Sequence, residues 1–319
     1  MINNFSIITG QEKYPLFDRL TKHTIQPIGT TPVVIPAEIV KFKNDNIKVK
    51  INNCVRGSEV FVIQPCYPHL HDRLFEVLIL IDALKNASAS KVTAILPYFP
   101  YVRSDKKEHD RISITAKMIA KLLQSVGTDH VITVCLHSPQ TQGFFDIPMD
   151  HLLPSKTICE YFITNKVIKE NTMIIAPDAG SVKMASHYAR KLNLPLSIVD
   201  KKRIDDTESA ISGSIIGDVS NKSCLIIDDE IATGNSIFKA TLNLLKNGAV
   251  DVSAFAVHGV LVGDALKMLN ESPLKQLYIT DTIWRPEVDN NPKITTISIS
   301  KMIFDAIICI NSNLSMANI

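Results

Sequence analysis

The sequence lacks the features of a membrane protein, a secreted protein or a nucleic-acid-binding protein. No apolar run reaches the roughly 18–20 residues that a membrane-spanning helix needs. The formal net charge of the 319 residues is only +2, which does not favour binding to nucleic acid or to an anionic membrane. The first residues lack the basic and apolar regions of a signal peptide, so we expect a cytoplasmic protein.

Cysteine is also too scattered to indicate a disulfide framework or a zinc site. The chain has six cysteines and no CxxC pair. Several of them stand in apolar runs, which favours reduced and buried thiols.

What the chain does have is an alternation of short apolar runs with helical patterns, and this predicts mainly parallel sheets flanked by helices, an α/β fold. The length suits two domains of about 150 residues. We place them at 1–150 and 151–319, because prolines interrupt the pattern at the boundary. In the helix predicted over 113–124, the residues expected on one apolar face are Ile114, Met118 and Leu122.

The most informative stretch is 224–237. A short apolar run predicts a buried strand that ends in two carboxylates, Asp228 and Asp229. A loop of small residues follows over 232–236, and a helix begins at Ile237. Free N–H groups at a helix start attract phosphate, so the stretch suits a phosphorylated sugar whose hydroxyls bind the carboxylates. An ordinary strand-to-helix turn with an Asp cap is the alternative.

Other polar residues follow predicted strands, and the carboxyl ends of parallel strands are where ligands bind. The cations that begin at Arg103 could hold a polyphosphate or stack on a base. His137 could contact a metal or a phosphate, and Asp178 could bind Mg²⁺ or cap a helix. Lys201 and Arg203 stand at the base of a polar segment and could close over a phosphate. Solvated loops, a strand cap and a helix cap are the alternatives.

A weak internal repeat also suggests two similar halves. His137 follows Gly127 by ten residues, and His258 follows Gly248 by the same distance. Each glycine comes after a Leu-Leu pair in a predicted helix. The alternative is that any two strand–helix–strand units look alike at this level.

Taken together, these motifs resemble the ribose-phosphate pyrophosphokinase family, over about residues 5–308. The order of motifs matches, and the block Gln142-Gly-Phe-Phe-Asp-Ile-Pro148 is the most specific. A phosphoribosyltransferase alone would account only for 224–237. The other matching motifs are Lys41-Phe-Lys-Asn44, Asn53-Cys-Val-Arg-Gly57, Ala87-Ser-Ala-Ser-Lys-Val-Thr-Ala94, Tyr98-Phe-Pro-Tyr-Val-Arg-Ser-Asp-Lys-Lys107, Pro177-Asp-Ala-Gly180, Asp200-Lys-Lys-Arg203, Asp228-Asp229, Asn270-Glu-Ser-Pro273 and Thr280-Asp-Thr-Ile283.

The resemblance implies two tandem phosphoribosyltransferase-type domains, the first on the ATP side and the second on the ribose 5-phosphate side. It implies transfer of pyrophosphate from Mg-ATP to the 1-hydroxyl of ribose 5-phosphate, giving phosphoribosyl pyrophosphate and AMP. Phosphoryl transfer of this kind depends mostly on positioning and on charge neutralisation by Mg²⁺ and cations. The family also implies a homo-oligomer, a hexamer, in the cytoplasm, with no nucleic-acid or membrane partner.

The resemblance also implies a role for each candidate residue. Lys201 and Arg203 would be catalytic cations, and Arg203 would also contact ribose 5-phosphate. His137 and Asp178 would bind Mg²⁺. The residues expected to bind ATP are Phe42, Asn44, Asp45, Asn46, Arg103, Ser104 and His137. Those expected to bind ribose 5-phosphate are Arg203, Asp228, Asp229, Ala232, Thr233, Gly234, Asn235 and Ser236.

Four positions depart from the family pattern. Cys135 and Ala232 stand where the family usually has Asp, Asn235 where it has Gly, and Asn46 where a Glu is common. Three of these, Cys135, Ala232 and Asn235, motivate an alternative hypothesis. In it the chain is a catalytically weak paralogue that binds nucleotide or ribose phosphate and regulates an active synthetase.

Overall fold

Helices and strands alternate along the computed structural model, which describes residues 5–10, 14–23, 32–200, 214–317 and 319. The strands are β1 (Phe5–Ile8), β2 (Val33–Ile35), β3 (Ala37–Lys41), β4 (Ile47–Ile51), β5 (Glu59–Ile63), β6 (Lys91–Leu96), β7 (His130–Val134), β8 (Met149–Leu152), β9 (Thr172–Ala176), β10 (Leu196–Asp200), β11 (Ser214–Ile216), β12 (Ser223–Ile231), β13 (Asp251–Gly259), β14 (Leu277–Thr280) and β15 (Ile294–Ile297). The helices are α1 (Pro15–Leu20), α2 (Leu70–Asn86), α3 (Thr115–Ser125), α4 (Ser155–Thr164), α5 (Val182–Leu192), α6 (Asn235–Lys246), α7 (Ala265–Glu271), α8 (Pro286–Asp289) and α9 (Ser300–Asn311).

The strands form two large sheets, one in each of two compact units. The first sheet has the order β2-β1-β5-β6-β7-β8, and every neighbouring pair in it is parallel. The second has the order β11-β10-β9-β12-β13-β14-β15, and its pairs are parallel except β10 with β11. Strands such as β9 are buried along their whole length, as expected where helices cover both faces. The predicted α/β fold with mainly parallel sheets is confirmed.

The two units are discontinuous in sequence. Unit 1 comprises residues 1–154, 282–284 and 298–319, and unit 2 comprises 155–281 and 285–297. The predicted ranges, 1–150 and 151–319, differ from these units at the C-terminal end, because α9 packs against α1 in unit 1. The Nε2 atom of His23 lies 3.0 Å from the Ser300 hydroxyl oxygen. The assignment of one substrate to each domain stays a prediction.

Helix α3 buries a different face from the one predicted. Met118 and Leu122 are 47% and 38% exposed, whereas Ile119 and Leu123 are fully buried. Ile114 precedes the first helical residue. The buried stripe is completed by Ala116 and Ala120. The prediction based on the larger apolar residues was therefore wrong.

The repeat seen in the sequence does not relate equivalent parts of the two units. In sheet order β7 corresponds to β14, and β13 corresponds to β6, so Gly127 and Gly248 precede strands that are not equivalent. Both glycines have φ +90° at a helix C-terminus. The amide after each donates to a carbonyl five residues back, a common helix-ending motif. Other helices end in the same way with a residue other than glycine at the positive-φ position, namely α2 at Ser88, α4 at Lys166, α5 at Asn193 and α9 at Asn313. The repeated pattern is thus a shared way of ending helices.

The cysteines are free thiols, and four of the six are buried. Burial raises the pKa of the Cys66 and Cys224 thiols to about 12, which keeps both protonated and unreactive.

Among the helices of the described residues, none combines the length and the apolar character needed to cross a bilayer.

Candidate functional site

The two carboxylates of the 224–237 stretch lie inside a strand. The sequence predicts a strand that ends at Asp228 and Asp229. Strand β12 instead continues to Ile231, so both carboxylates lie within it. The strand is longer than its apolar run because it continues beside β13, where Asp228 is paired with Ala256. Both carboxylates are half-buried near the carboxyl end of the unit 2 sheet.

Asp178 and Asp228 are brought together by the side chain of Ser181. The Ser181 hydroxyl lies 2.9 Å from Oδ1 of Asp228 and 3.1 Å from Oδ1 of Asp178. The Ser181 amide also donates to Oδ1 of Asp178, at 3.1 Å. The two acids come from neighbouring strands, because Asp178 follows β9 and β9 pairs with β12. Asp178 therefore bonds to the backbone at the start of α5 and also stands beside the acidic pair.

The pKa of Asp228 is raised from 3.8 to about 7. Burial is the largest cause, and the negative charge of Asp229 adds to it. The hydrogen bond from Ser181 opposes both, since it stabilises the carboxylate. Burial disfavours the ionised form of a carboxyl group, so a positive charge or hydroxyl donors from a ligand would stabilise ionised Asp228.

The donor atoms here fit a small hard cation. The oxygen atoms of Asp178 and Asp228 share one hydroxyl neighbour, and Mg²⁺ takes oxygen ligands, commonly one or two carboxylates together with water and phosphate oxygens. Within the described part of the chain, no group of three or more His, Cys, Asp or Glu side chains is arranged to hold a metal ion. A cation bound here would therefore share its coordination with substrate and water.

The loop after β12 has the backbone geometry of an anion site. Gly234 has φ +80° and immediately precedes α6. A Cβ on Gly234 would lie 2.3 Å from an atom of the Phe238 ring, so no larger residue fits there without movement. The first N–H groups of a helix have no partner within the helix, and they point along its axis toward the loop. Thr233 and Ser236 are exposed beside them.

Ala232 and Asn235, the two unusual residues of this loop, fit its backbone. Asn235 is the first residue of α6 and is not among the residues with positive φ. The left-handed residue of this loop is Gly234, with φ +80°. The carbonyl of Ala232 accepts the Val262 amide at 3.0 Å, a bond that does not depend on the side chain.

In unit 1, the residues predicted to cradle adenine form the tip of a two-stranded hairpin. Strands β3 and β4 pair antiparallel, and the whole tip is exposed, Phe42 by 47%. The tip closes through the Phe42 amide, which donates to the Asn46 carbonyl at 2.8 Å. Asp45 turns the chain with φ 63°. The Asn46 amide lies 3.4 Å from Oδ1 of Asn44.

The first turn of α2 contacts both the hairpin and the segment that carries Arg103. Lys41 of the hairpin donates to Asp72 at 2.8 Å. The neighbouring His71 lies 2.6 Å from the Tyr101 hydroxyl. Tyr101 has φ 56°, and its carbonyl accepts the Ser104 amide at 2.9 Å, which forms the turn around Arg103. Phe42 and Arg103 thus belong to segments anchored at adjacent residues of one helix.

His137 is exposed beyond the end of β7, in a turn that begins at Cys135. The sequence predicts a strand over Val131–Leu136, but the strand ends at Val134, because Cys135 adopts φ 45°. The Cys135 amide still bonds to β8, donating to the Leu152 carbonyl at 2.9 Å.

Lys201 and Arg203 lie outside the described residues, so their positions stay predictions. The described strands on either side of them, β10 and β11, pair antiparallel with Asp200 opposite Ser214.

Two residues near these sites were missed in the sequence. Ser181 was not identified as a site residue, although it follows a carboxylate by three residues, a spacing typical of local side-chain capping. His151 of β8 accepts the Leu136 amide on Nε2 at 2.8 Å. No local pattern could have indicated this bond, since its partners meet only through the pairing of β7 with β8.

Comparisons with known proteins cover both units. Residues 5–127 match the N-terminal domain of ribose phosphate pyrophosphokinase, 156–264 match the phosphoribosyl transferase domain, and 211–319 match the phosphoribosyl synthetase-associated domain. A ribose-phosphate pyrophosphokinase of Caldanaerobacter subterraneus subsp. tengcongensis is 39% identical over 99% of this chain and 98% of its own length. One from Helicobacter pylori is 39% identical over 100% of this chain and 96% of its own.

One solved structure is similar over nearly the whole chain. The crystal structure of phosphoribosylpyrophosphate synthetase from Mycobacterium smegmatis aligns with a TM-score of 0.89 at 35% identity. The alignment covers 98% of this chain and 100% of that one. The likeness therefore extends through both sheets, the hairpin and the β12–α6 loop.

Proposed function

The chain belongs to the ribose-phosphate pyrophosphokinase family, and from that premise we propose that it transfers pyrophosphate from Mg-ATP to the 1-hydroxyl of ribose 5-phosphate. The products are phosphoribosyl pyrophosphate and AMP, used in nucleotide biosynthesis. The observation that carries the proposal is the extent of the likeness, 39% identity over 99% of the chain. A likeness to phosphoribosyltransferases alone would leave residues 5–127 without an explanation.

Ribose 5-phosphate binds at the carboxyl end of the unit 2 sheet in this proposal. Asp228 and Asp229 accept hydrogen bonds from the ribose hydroxyls. The N–H groups of the first turn of α6 hold the 5-phosphate, with the hydroxyls of Thr233 and Ser236. Ala232, Gly234 and Asn235 contribute backbone. Support comes from the left-handed Gly234, which precedes α6 and leaves the helix start open to an anion.

We assign Asp178 and His137 as contacts of Mg²⁺, each on the motif of its own unit. Bound Mg²⁺ would neutralise charge on the transferred phosphates. The Asp178 carboxylate would hold the ion, and the Asp228 carboxylate would orient the ribose. Both roles require an ionised carboxyl group. The raised pKa of Asp228 supports a cationic partner, because a nearby positive charge favours the ionised form.

ATP binds through the tip of the unit 1 hairpin and the turn that follows β6. Phe42 and the neighbouring Asn44, Asp45 and Asn46 contact the adenine, and Arg103 and Ser104 lie beside it. The contacts of α2 with both segments support the proposal. We also propose that the protein is a cytoplasmic homo-oligomer, a hexamer, in which the exposed tip reaches a neighbouring subunit. Light scattering on the purified protein tests this state.

Lys201 and Arg203 are the proposed catalytic cations. They stabilise negative charge on the transferred group as it moves between the two oxygens. Arg203 also contacts ribose 5-phosphate. Because neither residue is among those described, the proposal depends on the motif Asp200-Lys-Lys-Arg203 alone.

The test is AMP release from Mg-ATP and ribose 5-phosphate, with Lys201→Ala as the matched control. We expect wild-type turnover that depends on both substrates and falls by at least about 100-fold in Lys201→Ala. Wild-type release no greater than that of Lys201→Ala would refute the proposal. If calorimetry then still detects nucleotide binding, the regulatory paralogue becomes the better hypothesis.

A further inference from the structure

The turn that carries His137 is held in a conformation that its sequence does not favour. Cys135 is buried and has φ 45°, a left-handed backbone in a residue with a Cβ. Such a conformation persists only where surrounding contacts fix it. The first contact is the Cys135 amide, which donates to the Leu152 carbonyl and extends the ladder between β7 and β8 by one bond.

The second contact is a hydrogen bond to a side chain, at the place where the next backbone bond of that ladder would form. The Leu136 amide donates to Nε2 of His151 at 2.8 Å. Leu136 is only 5% exposed, so its amide would have little access to water if the imidazole were absent. An imidazole nitrogen accepts a hydrogen bond only when it carries no proton, so His151 is neutral with its proton on Nδ1.

We propose that His151 is a positioning residue that holds the Cys135–Leu136 turn and thereby fixes where His137 stands. His137 is one residue beyond the amide that His151 accepts, so release of that amide would alter the backbone that presents His137. This inference rests on the proposed function, in which His137 contacts Mg-ATP. His151 itself contacts no reacting atom in this proposal.

Two variants of His151 test the proposal. They differ in whether the side chain at position 151 can still accept the hydrogen bond of the Leu136 amide. His151→Leu removes the acceptor and leaves the Leu136 amide unsatisfied. His151→Gln keeps a side-chain oxygen near the position of Nε2, where it can accept the same amide. We expect His151→Leu to raise the KM for Mg-ATP by roughly tenfold while the KM for ribose 5-phosphate stays within about twofold. His151→Gln should restore most of the loss.

A second readout does not depend on activity. Hydrogen exchange measured by mass spectrometry should show faster exchange of residues 134–138 in His151→Leu, and near wild-type exchange in His151→Gln. His130→Leu is the matched control, because His130 also joins β7 to β8, through Asp150 at 2.7 Å, but from the other end of β7. That variant should leave the exchange of 134–138 and the KM for Mg-ATP unchanged.

The two readouts separate this inference from the proposed function. Unchanged exchange in His151→Leu overturns the inference, whatever the activity. Faster exchange with an unaltered KM for Mg-ATP overturns the positioning role. If the wild-type protein lacks synthetase activity, the proposed function fails, and exchange together with calorimetric binding of Mg-ATP still decides whether His151 holds the turn.

Discussion

Replacing Asp228 by Asn should make the protein more stable while it removes activity. The Asp228 carboxyl is buried beside Asp229, and its pKa is raised from 3.8 to about 7. Ionising it in the folded protein therefore costs up to about 4 kcal/mol more than in the unfolded chain, at 1.36 kcal/mol for each pH unit. Asn has nearly the same shape and no charge, so Asp228→Asn avoids this cost.

The effect has a definite pH dependence. Between about pH 4 and 7 the folded protein keeps a proton on Asp228 that the unfolded chain has released. Wild-type stability therefore falls as the pH rises through this interval and is constant above it, as far as this group is concerned. The advantage of Asp228→Asn should grow by about 2–3 kcal/mol from pH 5 to pH 8.

Urea unfolding followed by circular dichroism, in buffer with a chelator, measures this difference. Asp251→Asn is the matched control, at the amino end of the same sheet. Burial alone would raise the pKa of Asp251, but hydrogen bonds from Lys169 and Lys275 outweigh it and lower the pKa. That variant should lose about 1 kcal/mol at neutral pH, and the loss should vanish as Asp251 becomes protonated in acid. The two substitutions should therefore change the free energy of unfolding in opposite directions, which distinguishes the two sites.

Addition of Mg²⁺ provides a second comparison. If a cation binds beside Asp228, Mg²⁺ should stabilise the wild-type protein more than Asp228→Asn and narrow the gap between them. Equal stability of the two proteins at pH 8 without Mg²⁺, or a difference that does not change with pH, would refute the prediction. It would mean that ionised Asp228 does not destabilise the folded protein.

Two further predictions concern neighbours of this carboxylate. Ser181→Ala removes a hydrogen bond that lowers the pKa of Asp228, so the acid limb of kcat/KM for ribose 5-phosphate should move to higher pH, whereas Ser181→Thr should leave it in place. Gly234→Ala should lower the Tm by more than Gly263→Ala does. Both glycines have positive φ, but a Cβ at 234 meets the Phe238 ring and one at 263 meets nothing within 4 Å. Equal losses of Tm would contradict the role assigned to that contact.

The parts of the fold that could be predicted from the sequence are those set by short-range patterns. Strand β9 is buried along its whole length, and its apolar run indicated this directly. The position of Asp178 after that strand followed from the same pattern. The contact of Asp178 with Asp228 through Ser181 could not be predicted, because it requires β9 and β12 to be neighbours although β10 lies between them in the sequence.

Helix α3 shows why a correct helix can be given the wrong buried face. The spacing of Met118 and Leu122 is helical, and so is that of Ile119 and Leu123. Both stripes satisfy the periodicity, and the choice between them depends on what the helix packs against. The stripe that is buried also contains Ala116 and Ala120, and the periodicity of the large apolar residues does not distinguish it from the other.

The departures from the family pattern do not all bear on activity in the same way. Asn235 has the ordinary backbone of a helix start, and Ala232 contributes a carbonyl bond that any residue can make. Neither removes the N–H groups proposed to hold the 5-phosphate. Cys135 is different, because it occupies a left-handed position that Asp adopts more readily than Cys. The carboxylate that an Asp at position 135 would supply is also missing from the turn that presents His137. The question of full activity therefore concerns the His137 turn of unit 1 more than the phosphate loop of unit 2.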